Sequence, residues 1–245
     1  MTAEDAMQNK VSGFVKQTAG FTPEDIIRFA CEQFGERLKL ASSLGEEDQV
    51  LTDMVARVQP EIRVFTLDTG RLFQETYELL AKTQQRYGLR YEVYYPDTRA
   101  VEEMVREKGI NLFYDSVDNR KTCCGVRKVE PLKRALANTD AWITGLRRAQ
   151  SITRATIQTF EWDEANGKIK VNPLAAWSRE QVQEYIREHT VDTNSLHAKG
   201  FVSIGCASCT RAIQPGDDIR EGRWWWEKPE SKECGLHNNP NRPVK

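Results

Sequence analysis

Strand-like and helix-like segments alternate through the first 190 residues of this chain, and this alternation constrains its fold more than any other feature. Short extended runs occur at LKLASSL (38–44), IRVFTLDT (62–69), LRYEVYYP (89–96) and AWITGL (141–146), with helical patterns between them. Strands that alternate with helices are typical of βαβ units. The sequence therefore predicts an α/β fold with a mostly parallel sheet and helices on both of its faces.

Local signals predict where some helices begin and end. Thr22 and Pro23 match an N-cap followed by a proline at the first helical position, and Gly35 can end the same helix. We also predict that a helix begins near Cys124. Three of the strand ends are polar and contain glycine: SSLGEED, LDTGR and TGLRR. Because ligands bind at the carboxyl ends of parallel strands, these loops are the first place to expect a site.

The second half of the chain changes character. Residues 159–174 alternate around an Asn-Gly pair and predict a β-hairpin, and Ser178 with Gln181 predicts a capping box. Beyond that helix the periodicity fades, and Cys, Arg, Trp, Gly and Pro become frequent. We therefore expect an α/β domain over residues 1–205 and an irregular C-terminal segment over residues 206–245, with a mobile tail.

Composition excludes several classes of protein. The 245 residues, 39% of them hydrophobic, are enough for one substantial core. A formal net charge of −1 gives no general attraction to nucleic acid or to membranes, so any anion site must be a local basic cluster. We find no apolar run of about 18 residues and no signal-peptide core. We therefore expect a soluble, cytoplasmic protein whose cysteines stay reduced.

Four of the six cysteines form two pairs, Cys123 with Cys124 and Cys206 with Cys209. A C-x-x-C loop can place both sulfurs on one metal or cluster, whereas adjacent cysteines fit best when each thiolate binds a different iron. This favours a [4Fe–4S] cluster over tetrahedral zinc, whose ligands usually stand two to four residues apart. Zinc, a thioredoxin-like redox pair and plain buried cysteines stay open as alternatives.

The other two cysteines differ in their surroundings. Cys31 lies on the apolar face of the first predicted helix, and we expect it to fill the core. Cys234 lies near Lys228 and Lys232, and His237 follows three residues later. Nearby cations favour the nucleophilic thiolate of a cysteine. Cys234 is therefore a candidate nucleophile, and a lone surface cysteine is the alternative.

Charged residues at the strand ends indicate what kind of ligand the site takes. The loop SSLGEED begins a helix with Glu46, Glu47 and Asp48 and has no lysine, which argues against a triphosphate and an ATP-cleaving loop. Basic residues gather elsewhere at strand ends and around the cysteines, which predicts an anion site built from guanidinium and ammonium groups. They are Arg127, Lys128, Arg147, Arg148, Arg154, Arg220 and Arg223.

Five motifs together resemble one known family. The motifs LDTGRLFQETY, KTCCGVRKVEPL, GCASCTR, EGRWWWE and KECGLH are similar to those of the assimilatory sulfonucleotide reductases, most closely the bacterial adenosine 5′-phosphosulfate (APS) reductases that use thioredoxin. The resemblance extends over about residues 38–238. It implies an adenine-nucleotide α-hydrolase-like fold, and the reduction of APS to sulfite and AMP in sulfate assimilation.

The resemblance also implies roles for particular residues. The two cysteine pairs would ligate a [4Fe–4S] cluster, and Cys234, with His237 as a second catalytic residue, would attack APS. The resulting S-sulfocysteine would be reduced by thioredoxin or a glutaredoxin-like protein. The residues implied to bind the sulfonucleotide are Ser42, Ser43, Gly45, Leu67, Thr69, Lys128, Arg147, Arg220 and Arg223.

Two residues depart from the family pattern. Leu44 stands where the family usually has serine or phenylalanine, and Glu46 where it has alanine. No thioredoxin-like domain follows Cys234, so we expect a separate reductant.

The rival functions are reduction of the 3′-phosphorylated substrate (PAPS) or of both substrates, an ATP-dependent adenylating or thiolating enzyme, and a non-enzymatic cluster- or zinc-binding redox module. The sequence also leaves open whether the protein forms a homo-oligomer.

Overall fold

The computed structural model describes residues 3–150, 154–228 and 232, and of residues 3–5 only the backbone. Within these residues the strands join into a single sheet, which is parallel except for one antiparallel strand at its edge. The strands are β1 (Leu38–Ala41), β2 (Arg63–Leu67), β3 (Tyr91–Tyr94), β4 (Ala141–Ile143), β5 (Phe160–Asp163) and β6 (Lys168–Val171).

The strand order is β3-β2-β1-β4-β6-β5, with β1 and β4 in the middle. Leu40 of β1 pairs with Val64 of β2 on one side and with Ile143 of β4 on the other. All three side chains are buried, as expected for central parallel strands that are covered on both faces. The predicted α/β fold class is confirmed, and so is the predicted hairpin, formed by β5 and β6.

Helices cover both faces of the sheet. Val50 and Met54 of α3 and Val182 of α8 pack in the main core on one face, and Leu132 of α7 packs with Trp142 on the other. Cys31 packs against the main core, as predicted. The helices are α1 (Ala3–Gln17), α2 (Pro23–Phe34), α3 (Glu46–Val58), α4 (Gln74–Tyr87), α5 (Thr98–Lys108), α6 (Val117–Cys124), α7 (Glu130–Ala135) and α8 (Arg179–Glu188).

The capping predictions are confirmed by local hydrogen bonds. The hydroxyl of Thr22 accepts a hydrogen bond from the backbone N–H of Asp25, and Gly35 follows the last residue of α2. Ser178 and Gln181 form the reciprocal bonds of a capping box at the start of α8. None of the described helices has both the length and the apolar composition that crossing a bilayer requires.

Two helices differ from the predictions. The predicted helix start near Cys124 is wrong: α6 begins at Val117 because the Ser116 side chain caps it, and Cys124 is its last residue. The chain then continues as one π-helical segment, Gly125–Val129, into α7. No element was predicted where α1 lies: its buried hydrophobic residues among those described are Val11 and Phe14, which are too few to form a clear helical pattern.

Candidate functional site

The loops after β1 and β4 meet at the point where the strand order reverses. From β1 the sheet continues through β2 and β3 on one side, and through β4 on the other. Ligands of open α/β sheets bind at such switch points, outside the carboxyl ends of the strands. Residues 42–45 follow β1 and residues 144–147 follow β4, so two of the three glycine-containing loops border one crevice.

The loop after β1 is held by its own side chains. Ser42 Oγ accepts a hydrogen bond of 3.2 Å from the backbone N–H of Leu44, whose φ of 61° lies in the left-handed region. Asp48 Oδ2 accepts hydrogen bonds from the backbone N–H (2.7 Å) and the hydroxyl (2.6 Å) of Ser43. Because Ser43 donates its hydroxyl proton to Asp48, its oxygen can offer only lone pairs to a ligand.

Gly145 lets the loop after β4 approach the start of α3. A Cβ at this position would lie 2.4 Å from Asp48 Oδ1 and 2.9 Å from Glu47 Cβ, so no larger residue fits without movement. Burial raises the pKa of Asp48 to about 6, although hydrogen bonds from Ser43 and Gly145 oppose the rise. The Asp48 carboxyl group therefore joins the two loops across the switch point.

Arg147 is also part of this junction. Its Nε and Nη2 atoms donate to Glu47 Oε1 at 3.0 and 2.7 Å, and its Nη1 donates to the carbonyl oxygen of Trp177 at 3.3 Å. The Arg147 side chain is only 4% exposed. Its positive charge is thus balanced by a carboxylate on α3, and the pair fixes α3 against the loop after β4.

The loop after β2 connects this crevice with the cysteines. Asp68 Oδ1 accepts a hydrogen bond of 2.7 Å from the N–H of Gly70, whose φ is 69°. The carbonyl oxygen of Thr69 accepts a hydrogen bond of 2.7 Å from Arg127 Nη1. The Thr69 hydroxyl oxygen lies 3.3 Å from the sulfur of Cys206. Thr69 therefore contacts the cysteine region while it lines the crevice.

Together these loops enclose a cavity of about 280 Å³, near the lower end of the range for small-molecule sites. Every residue that the sequence analysis assigned to sulfonucleotide binding lines it: Ser42, Ser43, Gly45, Leu67, Thr69, Lys128, Arg147, Arg220 and Arg223. The wall also contains residues that the sequence analysis did not single out, among them Thr144, Gly145, Gln150, Arg179, His197 and Ser203.

The basic residues that were grouped from the sequence separate in the structure. Arg127 lies against the cysteines instead of the cavity, and Arg148 donates to the carbonyl oxygen of Ile157 at 2.8 Å. The others line the cavity, on a wall that also carries the carboxylates of α3: Lys128, Arg147, Arg154, Arg220 and Arg223. The cavity wall therefore carries both cationic and acidic side chains, and its field favours an anionic group only on the cationic part.

The two cysteine pairs lie around one small void of about 20 Å³ beside this cavity. Cys123 and Cys124 end α6, and Cys206 precedes a single turn of 3-10 helix whose last residue is Cys209. Lys128 lines both the void and the cavity. The fold thus brings together two thiol pairs that are distant in sequence.

Positive charge surrounds these thiols. Burial raises the pKa of Cys123, with Arg127 opposing the rise, and burial together with Cys206 raises the pKa of Cys209 to about 11. For Cys206, burial also acts to raise the pKa. Lys128, a threonine hydroxyl and two arginines outweigh it, so the pKa of Cys206 lies below its ordinary value.

A buried network attaches the C-terminal segment to the domain. Trp224 stacks with the guanidinium groups of Arg120 and Arg223, whose carbons lie 4.7 and 4.6 Å from the ring centre. Arg120 forms two hydrogen bonds with Glu227, of 2.9 and 2.8 Å, and both side chains are 2% exposed. A Cβ on Gly205 would lie 2.4 Å from Arg223 Nη2. Only the position of Glu227 after three tryptophans could have pointed to the Arg120–Glu227 pair from the sequence.

The residues around the cysteines fit a bound iron–sulfur cluster. Trp224 Nε1 and Arg127 Nε are buried donors with no hydrogen-bond partner in the described part of the chain. Sulfur atoms of a cluster accept hydrogen bonds, and each thiolate can bind a different iron. Across residues 3–150, 154–228 and 232, no three His, Cys, Asp or Glu side chains are arranged to hold one ion.

The two predicted catalytic residues, Cys234 and His237, lie outside the described residues. The carbonyl oxygen of Lys232, two positions before Cys234, accepts a hydrogen bond of 2.8 Å from Arg220 Nη2. Arg220 lines the cavity. The backbone at Lys232, two positions before Cys234 in the sequence, therefore contacts a residue that lines the cavity.

Comparison with known proteins agrees with this geometry. Residues 37–212 match the family model of the phosphoadenosine phosphosulfate reductase domain. A crystal structure of the phosphoadenylyl-sulfate (PAPS) reductase from Candida auris, in a phosphate complex, aligns with a TM-score of 0.73 and 28% identity. The alignment covers 84% of this chain and 97% of that one.

Two relatives extend the match in sequence. The chain is 52% identical over 219 residues to an adenosine 5′-phosphosulfate reductase of Allochromatium vinosum, over 89% of this chain and 85% of the relative. It is 50% identical over 215 residues to the adenosine 5′-phosphosulfate reductase of Burkholderia cepacia, over 86% of each. The chain therefore belongs to the phosphoadenosine phosphosulfate reductase domain family and, within it, to the adenosine 5′-phosphosulfate reductases.

Proposed function

We propose that this oxidoreductase reduces APS to sulfite and AMP in the cytoplasm, as a step of sulfate assimilation, with thioredoxin or a glutaredoxin-like protein as the reductant. One observation carries the proposal. A cavity with a partly cationic wall shares Lys128 with a void between four cysteines. The reaction is inferred from the names of two relatives, which are about half identical to this chain over most of its length.

The two ends of APS suit different parts of the cavity wall. The neutral adenosine fits the hydroxyl groups and backbone of residues 42–45 and 67–69, because the carboxylates of α3 disfavour an anion there. The phosphosulfate fits Lys128, Arg220 and Arg223, whose cationic groups can hold its oxygens. Arg147 lines the wall as the ion-pair partner of Glu47 and serves to position the loop after β4.

The chemistry proceeds in two exchanges at sulfur. The Cys234 thiolate attacks the sulfur of APS, the bond between that sulfur and the bridging oxygen breaks, and AMP leaves with the bonding electron pair. The enzyme then holds an S-sulfocysteine. One thioredoxin thiolate attacks Cys234 Sγ and releases sulfite, and the second thioredoxin thiol frees Cys234 as the thioredoxin disulfide forms. Two electrons pass from the dithiol to the sulfur.

Basic residues lower the barrier to the first exchange. The thiolate and the phosphosulfate are both anions, so Lys128, Arg220 and Arg223 reduce their repulsion and stabilise the charge that develops on AMP. His237, three residues after Cys234, is proposed to help these basic residues stabilise charge at the reacting sulfur. In this proposal, residues 1–205 bind the adenosine, and residues 206–245 bring Arg220, Arg223, the second cysteine pair and the nucleophile.

Cys123, Cys124, Cys206 and Cys209 are proposed to hold a [4Fe–4S] cluster. When bound, the cluster would supply a fixed charge and would link the two cysteine pairs. Lys128 would then lie between this charge and the sulfonucleotide, and it would orient the phosphosulfate.

A competition assay tests the choice of substrate. Iron-loaded protein, purified without oxygen, is assayed for sulfite release with thioredoxin, on APS and on PAPS. We expect a higher kcat/KM for APS. A markedly higher kcat/KM for PAPS would contradict the proposal and support the 3′-phosphorylated substrate.

A pair of cysteine substitutions tests the nucleophile. Cys234→Ser should abolish sulfite release and leave AMP binding intact, because serine is a far weaker nucleophile at neutral pH. Cys31→Ser, at a half-buried cysteine away from the cavity, is the matched control and should retain the wild-type rate. Sulfite release by Cys234→Ser near the wild-type rate would overturn the mechanism.

A further inference from the structure

His197 is a cavity residue whose hydrogen bonding is incomplete. It lies in the 3-10 helix Ser195–Lys199 and lines the same cavity as Thr76 and Ser203. Asn194 anchors this helix, because its side chain caps the N–H of Leu196 (3.0 Å) and donates to Thr76 Oγ1 (3.1 Å). The imidazole is therefore held at a defined place in the cavity wall.

One ring nitrogen determines the state of the other. His197 Nδ1 lies 2.7 Å from the carbonyl oxygen of Phe201. A carbonyl oxygen only accepts hydrogen bonds, so Nδ1 carries the proton. In the neutral imidazole, Nε2 then carries a lone pair and acts as an acceptor. Nε2 is buried and has no hydrogen-bond partner among the described residues.

An unpaired buried acceptor calls for an explanation. Buried polar atoms in folded proteins nearly always have a hydrogen-bond partner, since leaving one unpaired is costly. A ligand in the cavity would provide a donor. Because Nε2 is covered by neighbouring atoms, the cavity wall must shift slightly as the ligand enters, and side chains at binding surfaces commonly do so.

We propose that His197 Nε2 accepts a hydrogen bond from an N–H or O–H group of the bound nucleoside, which is the adenine amino group or a ribose hydroxyl. The inference rests on the proposed function, which places an adenine nucleotide in the cavity. His197 then helps to select the nucleoside half of the substrate. If the donor is the ribose 3′-hydroxyl, a 3′-phosphate would bring acceptor oxygens against a lone pair, so His197 would also disfavour PAPS.

The substitution His197→Asn tests this role. The asparagine amide can still donate to the Phe201 carbonyl oxygen, but it has no acceptor at the position of Nε2. We expect the affinity for AMP, measured by titration calorimetry, to fall about 10- to 100-fold, with an unchanged melting temperature. His189→Asn is the matched control, because His189 packs on Tyr185 instead of lining the cavity, and it should bind AMP as the wild type does.

Three AMP analogues identify the donor: 2′-deoxy-AMP, 3′-deoxy-AMP and purine riboside 5′-monophosphate, which lacks the amino group. The analogue without the donor should bind wild type and His197→Asn equally, while the other two keep the loss seen with AMP. His197→Gln, whose amide oxygen can reach the position of Nε2, should recover part of the affinity and guards against a folding defect in His197→Asn.

Two results would overturn the inference alone: unchanged AMP binding by folded His197→Asn, or the same loss for AMP and for all three analogues. Failure of the folded wild-type protein to bind AMP would instead contradict the proposed function, and the inference would fall with it.

Discussion

The cavity at the ends of β1 and β4 and the void between the cysteine pairs share Lys128, but different interactions hold them together. The cavity forms where a parallel sheet reverses its strand order, and short loops complete it. The cysteine void forms between segments distant in sequence, joined by the buried Arg120–Glu227 pair and by stacking on Trp224. The sheet topology therefore locates the cavity, whereas a few long-range contacts locate the cysteines.

The largest expected effect is on the proposed cluster. Cys209→Ser should remove iron and the visible absorbance of the anaerobically purified protein, because serine replaces one of four ligands. Cys31→Ser should retain both, since Cys31 lies against the main core. Zinc in place of iron in the wild type, or full iron content in Cys209→Ser, would contradict the cluster.

The next effect concerns the attachment of the C-terminal segment. Arg120→Ala leaves the buried Glu227 carboxylate without its partner, which should lower the free energy of unfolding by about 3–5 kcal/mol. Arg37→Ala is the control, because the side chains of the Arg37–Asp140 pair are 57% and 50% exposed. That change should cost far less, because exposed ion pairs contribute little to stability. Urea unfolding measures both, and equal losses would show that burial of the pair is unimportant.

At the cavity, Asp48 should make stability depend on pH. Its pKa is raised from 3.8 to about 6, so the folded state favours the protonated form. This contribution is fully present below pH 3.8 and is lost as the pH rises through about 6. By linkage it amounts to roughly 3 kcal/mol.

The variant Asp48→Asn isolates that contribution. We expect the difference in unfolding free energy between the variant and the wild type to shift in favour of the variant as the pH rises from 4 to 7. Urea unfolding at several pH values measures it. A difference that does not change with pH would contradict the assignment to Asp48.

The smallest predicted effect tests how closely the cavity loops approach each other. In Gly145→Ala the new Cβ would collide with Asp48 and push the loop after β4 away from α3. We expect AMP to bind about 10- to 100-fold more weakly, comparable to the loss of one or two good hydrogen bonds. Iron content should not change. Gly13→Ala, in α1, is the control, since the nearest atom to its Cβ would be 3.9 Å away.

Features set by neighbouring residues could be predicted from the sequence. The cap at Thr22 and the capping box at Ser178 depend on residues three positions away, and both were confirmed. The strand ends could also be predicted to meet, because parallel strands bring their carboxyl ends to one edge of the sheet. Motif resemblance then named cavity residues that local patterns alone would not have identified.

Features that depend on distant partners could not be predicted. Arg147 pairs with Glu47, one hundred residues earlier, and no local pattern shows this contact. Burial of Arg120 depends on Glu227, and the unpaired nitrogen of His197 depends on how its neighbours pack. The start of α6 is an exception, because it depends on a local cap at Ser116 that begins the helix at Val117.

Mass spectrometry of the protein after reaction with APS, without any reductant, tests whether Cys234 is the nucleophile. We predict that the peptide containing Cys234 gains the mass of one SO₃ group, and that one AMP is released for each modified chain. Addition of thioredoxin should remove the group and release sulfite. AMP release without a modified cysteine, or an SO₃ group on a different cysteine, would contradict this mechanism.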